Sequence, residues 1–334
     1  VIIYTSKPTF FERKITIVNK ANEIIKEGCI KLATNEPKIA FSDADMVLIT
    51  MPSFCAENVF SAMNSFIARG VYVGFIPGTG GMECVFKDLI AKDCILFGLQ
   101  RVPSVARLVE YGKTVCADGY REKLYLSAIP KKYSIECCSL MSQIFDIPCD
   151  PLPNFLNLTL TPSNPILHTT RLYTLFRDYN FEKVYSKNPL FYEDWDNETS
   201  SLLFKCDDEV QLLCKNLKDF DLSYIKSLKV HYESYTPEQL TCKIKSISGF
   251  KGLMTPMIDG GVGFIPDFNS RYFIADFGYG LSIVNQIADM VGLELPHITT
   301  LMNWFCSLPI QSSIFNFRKY GIDSYRSFKE FYST

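Results

Sequence analysis

Two turns in the first third of the chain hold residue types that suit nucleotide binding. Residues 46–51 and 71–76 are apolar runs typical of strands buried in a parallel sheet. The first run ends at Thr50-Met51-Pro52-Ser53 and the second at Pro77-Gly78-Thr79-Gly80-Gly81. Because ligands bind at the carboxyl ends of parallel strands, the turns predict a nucleotide site, although glycines after a strand are also ordinary turn residues.

The elements that must position these turns alternate between strand and helix. Helical spacing follows each apolar run, at residues 57–68 and 82–91, and a third strand is predicted at 94–99. This alternation predicts a parallel α/β sheet, closed by a helix at 133–145. Further strands are predicted at residues 1–4, 28–33, 39–41, 106–110, 113–116 and 123–128, the last three as an antiparallel extension.

The predicted secondary structure changes from alternating strands and helices to mostly helices at Asp150-Pro151-Leu152-Pro153. Two prolines in three positions disfavour both a helix and a central strand there. We therefore predict an α/β domain at residues 1–150 and a mostly helical domain at residues 151–334. The helices of the second domain are predicted at residues 166–178, 191–218, 237–247, 272–291 and 298–305.

Composition excludes several function classes. The 334 residues carry 34 Lys and Arg against 36 Asp and Glu, a net charge of −2, which gives no electrostatic footprint for nucleic acid. No apolar run reaches the roughly 18 residues of a membrane span, and the start of the chain does not resemble a signal peptide. The 12 cysteines form no C-x-x-C pair. We expect a cytoplasmic protein with reduced cysteines, no metal and no membrane or nucleic-acid partner.

Two motifs in the second half resemble a known family. They are Asn164-Pro165-x-x-His168 and Pro266-Asp267-Phe268-x-Ser270-Arg271-Tyr272-x-x-x-Asp276-x-x-Tyr279-Gly280-Leu281. With residues 43–49, 77–81 and 105–110, they resemble the octopine/nopaline (opine) dehydrogenases over nearly the whole chain. That family condenses an amino acid with a 2-oxo acid by hydride transfer from NAD(P)H. The resemblance implies an α/β Rossmann-type N-terminal domain, a mostly α-helical substrate and catalytic domain, and small-molecule substrates.

The resemblance also implies roles for individual residues. His168 would be the general acid/base, because an imidazole near neutral pKa suits proton transfer, and Asp276 would orient it. Arg271 would reach the cofactor pyrophosphate, and Asn164 would bind substrate or the cofactor amide. Each residue also has a structural alternative. His168 could be a hydrogen-bonded core histidine and Asp276 a solvated carboxylate. Arg271 could form an exposed ion pair, and Asn164 could cap a helix.

The other two histidines lack a motif. His231 follows Lys229-Val230, and His297 follows Leu295-Pro296 at a predicted helix start. We assign both to surface or capping roles.

The start of the chain departs from the Rossmann pattern, because no G-x-G-x-x-G fingerprint is present. Residues 1–7 look like the second Rossmann strand and its end, so the sequence predicts a domain without its first β-α unit. Ser6 and Lys7 stand where NAD enzymes carry an acid, and a hydroxyl and an ammonium favour the 2′-phosphate of NADP over NAD. The predicted cofactor-binding residues are Ser6, Lys7, Met51, Pro52, Ser53, Gly80 and Arg271.

Two rival functions stay open at this point. A ketopantoate-reductase-like or glycerol-3-phosphate-dehydrogenase-like enzyme would be expected to carry a catalytic Lys where this chain has His168. A non-catalytic, metabolite-binding remnant is supported only by the absent glycine loop. The opine dehydrogenase hypothesis predicts that His168 and Asp276 lie within hydrogen-bond reach, directly or through one water. It also predicts that the strand-end residues and Arg271 border one groove between the domains. The substrate pair and the oligomeric state are not readable from the sequence.

Overall fold

The computed structural model describes residues 1–161, 164–180, 182–310 and 313–334, with the backbone alone at residue 118. The strands are β1 (Ile2–Tyr4), β2 (Lys14–Val18), β3 (Ile24–Cys29), β4 (Leu32–Thr34), β5 (Met46–Ile49), β6 (Tyr72–Phe75), β7 (Ile95–Leu99), β8 (Val105–Glu110), β9 (Thr114–Asp118), β10 (Leu124–Ile129), β11 (Cys149–Pro151), β12 (Met257–Asp259) and β13 (Phe264–Pro266). The α-helices are α1 (Pro37–Phe41), α2 (Ala56–Met63), α3 (Met82–Val85), α4 (Ser134–Phe145), α5 (Leu156–Thr159), α6 (Asn164–Phe176), α7 (Asn197–Asn216), α8 (Leu228–His231), α9 (Pro237–Ser246), α10 (Arg271–Ala275), α11 (Ser282–Met290), α12 (Pro296–Ser307) and α13 (Tyr325–Tyr332).

The main sheet has five strands in the order β11-β10-β7-β6-β5. Its apolar strands β5, β6 and β7 are parallel, with Met46 opposite Tyr72 and Tyr72 opposite Ile95. Strand β10 runs antiparallel to β7, and β11 forms the far edge. The predicted α/β class is confirmed, and the carboxyl ends of β5 and β6 open onto the two turns singled out above.

Two local predictions are wrong. Strands β8 and β9 do not extend the main sheet; they join a second sheet of order β3-β2-β9-β8, and only β10 enters the main one. The second sheet depends on the parallel pairing of Thr16 with Thr114, which are far apart in the sequence. No local sequence pattern therefore predicts it. Residues 39–41, predicted as a strand, lie in α1, where Pro37 stands at the start of the helix and suits that position.

Beside the main sheet, β1 and β4 form a parallel pair of their own, with Ile2 opposite Leu32. Strand β5 is an edge strand of the five-stranded sheet. The turn that contains Ser6 and Lys7 leaves the carboxyl end of β1. The residues predicted to meet the cofactor 2′-phosphate therefore lie outside the main sheet's ladder.

The second half is mostly helical, as predicted. The long helix predicted at 272–291 is broken into α10, a π-helical segment Asp276–Leu281, and α11. Helices α6, α10, α11 and α12 all contact this segment, which places it at the centre of the helical half. Strand β11 ends at Pro151 on a sheet edge, and the domain boundary at 150/151 stays a prediction.

One apolar core joins the two halves. Phe75 and Phe86 of the sheet half belong to the same buried cluster as Leu156 and Phe273 of the helical half. Among the residues described, no helix is long and apolar enough to cross a membrane.

Candidate active site

His168 and Asp276 meet at the centre of the helical half. His168 lies on the second turn of α6, and Asp276 begins the π-helical segment. Nδ1 of His168 lies 2.7 Å from Oδ2 of Asp276, and the side chains are only 7% and 14% exposed. The predicted approach of these two residues is confirmed as a direct hydrogen bond across 108 positions of sequence.

A close backbone approach holds these two elements together. A Cβ atom on Gly280 would lie 2.5 Å from Cγ of Pro165, a distance that real side chains do not adopt. Glycine is therefore required where the π-helical segment crosses the first turn of α6. The Ser282 hydroxyl donates to the Gly278 carbonyl at 2.6 Å and closes the same segment. Because Pro165 and Gly280 both lie within a turn of the dyad, their contact sets the spacing of His168 and Asp276.

Aromatic side chains surround the imidazole. The ring of Tyr272 lies 4.4 Å from the His168 ring centroid, and that of Phe191 lies 5.6 Å away. The Tyr192 hydroxyl lies 2.8 Å from Nε2 of His168. Burial raises the pKa of Tyr192 well above its ordinary value, so this phenol stays protonated at neutral pH. These side chains exclude most water from one side of the dyad.

Hydrogen-bond chemistry assigns the protons of the dyad. An ionised carboxylate only accepts, so Nδ1 of His168 donates to Asp276. Nε2 of the neutral imidazole then accepts from the Tyr192 hydroxyl. When the imidazole is protonated, both ring nitrogens donate and the hydroxyl accepts instead. The arrangement can therefore hold or release a proton at Nε2 while Asp276 keeps the ring oriented.

Sequence reasoning missed Tyr192. It lies between α6 and α7, where the sequence spacing predicts a helix from residue 191 but the structure begins α7 only at Asn197. The only signal was a local density of aromatic residues, Phe191, Tyr192 and Trp195, in a segment with no motif of its own.

The turns after β5 and β6 lie beside the π-helical segment that carries Asp276. Gly80 has a φ of +75°, and a Cβ atom there would lie 1.9 Å from Oγ of Ser53 and 3.6 Å from the Tyr279 carbonyl oxygen. The single 3₁₀ turn Ser53–Cys55 contacts both α10 and the π-helical segment. The structure thus brings Ser53 and Gly80 next to the segment that begins with Asp276. Met51 is exposed and Pro52 is half-buried at the end of β5.

Arg271 and Asn164 flank the dyad on their own helices. Arg271 opens α10 and is exposed, with its guanidinium carbon 5.7 Å from the ring centroid of Tyr272. Asn164 is the exposed first residue of α6, one helical turn before His168. Both positions are compatible with the roles implied by the resemblance, which stay predictions.

Ser6 and Lys7 are exposed at the end of β1. Nζ of Lys7 lies 5.9 Å from the ring centroid of Tyr111, beside the second sheet. The common groove predicted for the cofactor-binding residues stays a prediction.

The remaining histidines lie elsewhere. The backbone N–H of His297 donates to Glu209 at 2.8 Å at the start of α12, and its Nδ1 lies 2.7 Å from the same carboxylate oxygen. His231 is exposed at the end of α8. Over the described ranges, no three His, Cys, Asp or Glu side chains are grouped as metal ligands would be.

Comparison with known proteins gives a consistent result. Residues 151–308 match the family described as NAD/NADP octopine/nopaline dehydrogenase, alpha-helical domain. The chain is 25% identical to tauropine dehydrogenase of Arabella iricolor, over 82% of this chain and 73% of that protein. It is 27% identical to octopine dehydrogenase of Mizuhopecten yessoensis, over 82% of this chain and 72% of that protein.

The fold is also that of a solved dehydrogenase. A structure of octopine dehydrogenase with NADH and L-arginine superposes with a TM-score of 0.80 at 22% identity, covering 95% of this chain and 86% of that one. The similarity therefore extends through both the sheet half and the helical half. Residues 151–308 therefore match the helical domain of the NAD/NADP octopine/nopaline dehydrogenases, and the chain as a whole is similar in sequence and fold to opine dehydrogenases.

Proposed function

We propose that this protein catalyses the NAD(P)H-dependent reductive condensation of an amino acid with a 2-oxo acid, forming a secondary amine. The observation that carries the proposal is the 2.7 Å contact between His168 and Asp276 in a shielded site of a chain whose helical half matches that family. When bound, the nicotinamide supplies the hydride that reduces the C=N bond.

The proton steps need one group that both accepts and donates. The ammonium group of the amino acid first loses a proton, and the resulting amine attacks the 2-oxo carbon. Transfer of a further proton from the nitrogen to the oxygen then gives a carbinolamine. Loss of water then requires a proton on the departing hydroxyl. His168 takes the first proton at Nε2 and returns it for the second step, while Asp276 stabilises the imidazolium between them. Tyr192 gives Nε2 a hydrogen-bond partner until the substrate arrives.

The residues at the strand ends would hold the cofactor. Met51, Pro52, Ser53 and Gly80 stand at the carboxyl ends of β5 and β6, where dinucleotides bind in this type of sheet. The exposed guanidinium of Arg271 on the facing wall suits the pyrophosphate. Ser6 and Lys7 at the end of β1 suit a 2′-phosphate, and on this basis we favour NADP. All 12 cysteines are free, which is compatible with a cytoplasmic location.

A cofactor-oxidation assay tests the function directly. The purified protein is mixed with NADPH or NADH, a 2-oxo acid and a panel of amino acids, and NAD(P)H loss is followed with and without the amine. We expect oxidation that depends on the amine. His168→Gln should lower kcat on the order of 100-fold or more, the usual effect of losing a positioned acid/base. The matched control His297→Gln removes an imidazole from outside the site and should retain activity.

Two outcomes would contradict the proposal. Oxidation of NAD(P)H by a 2-oxo acid without any amine, with a hydroxy acid as product, identifies a simple reductase of the ketopantoate-reductase type. We consider that function weaker, because His168 occupies the position where such an enzyme would be expected to carry Lys. If neither cofactor binds the intact protein, the metabolite-binding remnant is the better description.

A further inference from the structure

A polar stripe on α6 is bonded to the segment that carries Tyr192 and to the start of α7. His168, Arg171 and Thr174 follow one another at three-residue intervals, so each lies about 60° around the helix axis from the last. His168 meets the Tyr192 hydroxyl at 2.8 Å, and the hydroxyls of Thr174 and Thr199 lie 2.7 Å apart. Arg171, between them, is 1% exposed. The proton steps proposed above use His168 and Tyr192 but not this buried cation.

The guanidinium of Arg171 is bonded to the short segment of residues 190–196, here called the Tyr192 segment. Nε donates to the Phe191 carbonyl at 3.1 Å, and Nη2 donates to the Asp194 carbonyl at 2.7 Å. Nη1 donates to Oδ2 of Asp196 at 3.0 Å. The two carbonyls belong to residues on either side of Tyr192 in the sequence. Arg171 therefore fixes the backbone that determines where the Tyr192 hydroxyl lies.

Stacking holds the ring of Tyr192 in a different way. The ring lies 4.0 Å from that of Phe250, centroid to centroid, with 13° between the two planes. Such a contact sets the plane of the ring but resists sliding within that plane only weakly, because it has little directional preference along the ring. A hydrogen bond between the hydroxyl and Nε2 of His168 needs a defined position along that direction. The bonds from Arg171 to the backbone supply it.

A buried guanidinium is an expensive way to fix a segment. Burial lowers the pKa of Arg171, and the carboxylate of Asp196 offsets this effect in part. The side chain of Asp196 is 51% exposed, so water competes for it. Replacing a buried ion pair by apolar side chains is often neutral or stabilising, so stability alone gives little reason for an arginine here. What the guanidinium adds is a rigid, planar set of donors that can bond several acceptors at once.

We propose that Arg171 is a positioning residue for the dyad, which holds the Tyr192 segment so that the Tyr192 hydroxyl meets Nε2 of His168. Because Arg171 follows His168 by three residues on α6, the helix that carries the imidazole also sets the position of its hydrogen-bond partner. Arg171 acts through the segment and does not touch the reacting atoms. The inference rests on the proposed function for its catalytic consequence.

Steady-state kinetics of Arg171→Lys test this role. Lysine keeps the charge but loses the planar set of donors. We expect kcat to fall about 2–10-fold, the range for loss of one ordinary hydrogen bond, because the Tyr192 contact is disturbed. The KM for NAD(P)H should stay the same, since the bonds of Arg171 go to the Tyr192 segment. Arg177→Gln is the matched control, because Arg177 also joins the end of α6 to α7, through Glu198 at 2.5 Å.

A double-mutant cycle shows whether Arg171 acts through Tyr192. In the Tyr192→Phe background the hydroxyl is already absent, so Arg171→Lys should lower kcat further by less than about twofold. An arginine with a merely structural role would lower kcat by the same factor in both backgrounds, or in neither.

The imidazole of His168 gives a readout that needs no turnover. The chain has three histidines, and the Nε2 signal of His168 is followed by NMR in protein labelled at the histidine nitrogens, with His168→Gln for assignment. Arg171→Lys and Tyr192→Phe should move this signal in the same direction, and the double variant should move it no further than Tyr192→Phe does. Arg177→Gln should leave it in place.

Asp196→Asn keeps the test available if Arg171→Lys does not fold. Asp196 is half-exposed, and the amide oxygen of Asn can still accept from the backbone N–H of Thr199 and cap α7. The amide NH₂ would then face Nη1 of Arg171 in place of a carboxylate oxygen. We expect the His168 signal to move in the same direction as in Tyr192→Phe.

The outcomes separate the inference from the proposed function. An unchanged kcat and an unmoved His168 signal in Arg171→Lys, or an unmoved signal in Asp196→Asn where the first variant does not fold, overturn the inference and leave the function standing. An equal loss of kcat in both backgrounds of the cycle also overturns it. A signal that moves as expected, in a protein that turns over no pair of amino acid and 2-oxo acid, overturns the proposed function and leaves Arg171 as the residue that positions Tyr192.

Discussion

The hydroxyl of Tyr192 lies 2.8 Å from Nε2 of His168, on the ring nitrogen opposite the one that meets Asp276. The imidazole is therefore held from both sides by side chains from two other segments of the chain. Such two-point fixation leaves the ring one orientation, which a general acid/base requires.

Tyr192→Phe tests the value of that second contact. The variant keeps the ring but removes the partner of Nε2, and we expect kcat to fall about 2–10-fold, as for loss of one ordinary hydrogen bond. Tyr185→Phe is the control, since its hydroxyl donates to the Leu175 carbonyl at 3.4 Å away from the dyad. Steady-state kinetics measure kcat for both variants. Equal kcat values for Tyr192→Phe and the native protein would refute a role for the Tyr192 hydroxyl in catalysis.

Gly280→Ala tests the close approach that spaces the dyad. The added methyl would lie 2.5 Å from Cγ of Pro165, so α6 and the π-helical segment must separate. We expect a loss of about 1–3 kcal/mol in unfolding free energy, typical of overpacking, together with lower kcat. Gly249→Ala is the matched control, because nothing lies within 4 Å of its Cβ position. Urea unfolding and steady-state kinetics measure both variants. Equal unfolding free energies and equal kcat values for Gly280→Ala and Gly249→Ala would contradict the role of Gly280 in spacing the dyad.

Asp207→Asn tests how stability depends on pH through a buried carboxylate, which accepts a hydrogen bond from the backbone N–H of Leu228 at the start of α8. Burial raises the pKa of Asp207 from 3.8 to about 6, so the native state holds this proton more tightly than the unfolded chain does. As pH rises from about 4 to about 6, ionisation of Asp207 should remove about 3 kcal/mol of stability, a loss that persists at higher pH. The Asn variant has no such group.

Unfolding free energies of both proteins across pH 4–7.5 measure this effect. The difference, Asn variant minus native protein, should grow over this window and then level off. Asp208→Asn is the control, because that exposed carboxylate pairs with Lys229. Parallel pH curves for Asp207→Asn and the native protein would exclude the effect.

Lys7→Glu tests the cofactor preference. Replacing the ammonium by a carboxylate should weaken NADPH binding by about 10–100-fold and leave NADH less affected, because only NADPH carries the 2′-phosphate. Lys31→Glu introduces the same charge change at the amino end of the β1–β4 pair, opposite Lys7, and serves as control. Fluorescence titration of both cofactors is the measurement. Tighter NADH binding in the native protein, unmoved by Lys7→Glu, would remove Ser6 and Lys7 from the cofactor site.

The sequence predicted the strands that pair locally and the dyad that its motifs carry. Strands β5, β6 and β7 are continuous apolar runs, and His168 and Asp276 stand in the two most specific motifs. It did not predict the pairing of β2 with β9, because residues about a hundred positions apart leave no local pattern. The three-residue apolar run at residues 39–41 was too short to predict a strand reliably. These residues lie in α1, with Pro37 at the start of the helix.

The sequence also did not predict a surface cavity that Gln100, Arg101, Arg121, Lys226 and His231 help to line. Its cations come from Arg101, from residues 121–123 and from residues 226–231, and none of these stretches is a charge cluster by itself. Only the antiparallel return of β10 beside β7 and the anchoring of α8 bring them together. His231 was assigned to a surface or capping role, and its position in the cavity depends entirely on those long-range contacts.

The π-helical segment has a consequence for how the chain tolerates insertions and deletions. Each α-helical residue advances about 100° around the axis, and a π turn accommodates one extra residue by bonding five positions back. Asp276 and Gly280 both fall within this widened turn, one facing His168 and the other Pro165. Removal of a single residue between them would restore an ordinary α-helical turn that leaves Gly280 on nearly the same face, whereas insertion of a further residue would rotate Gly280 away from Pro165. The segment is therefore expected to tolerate a one-residue deletion better than a one-residue insertion.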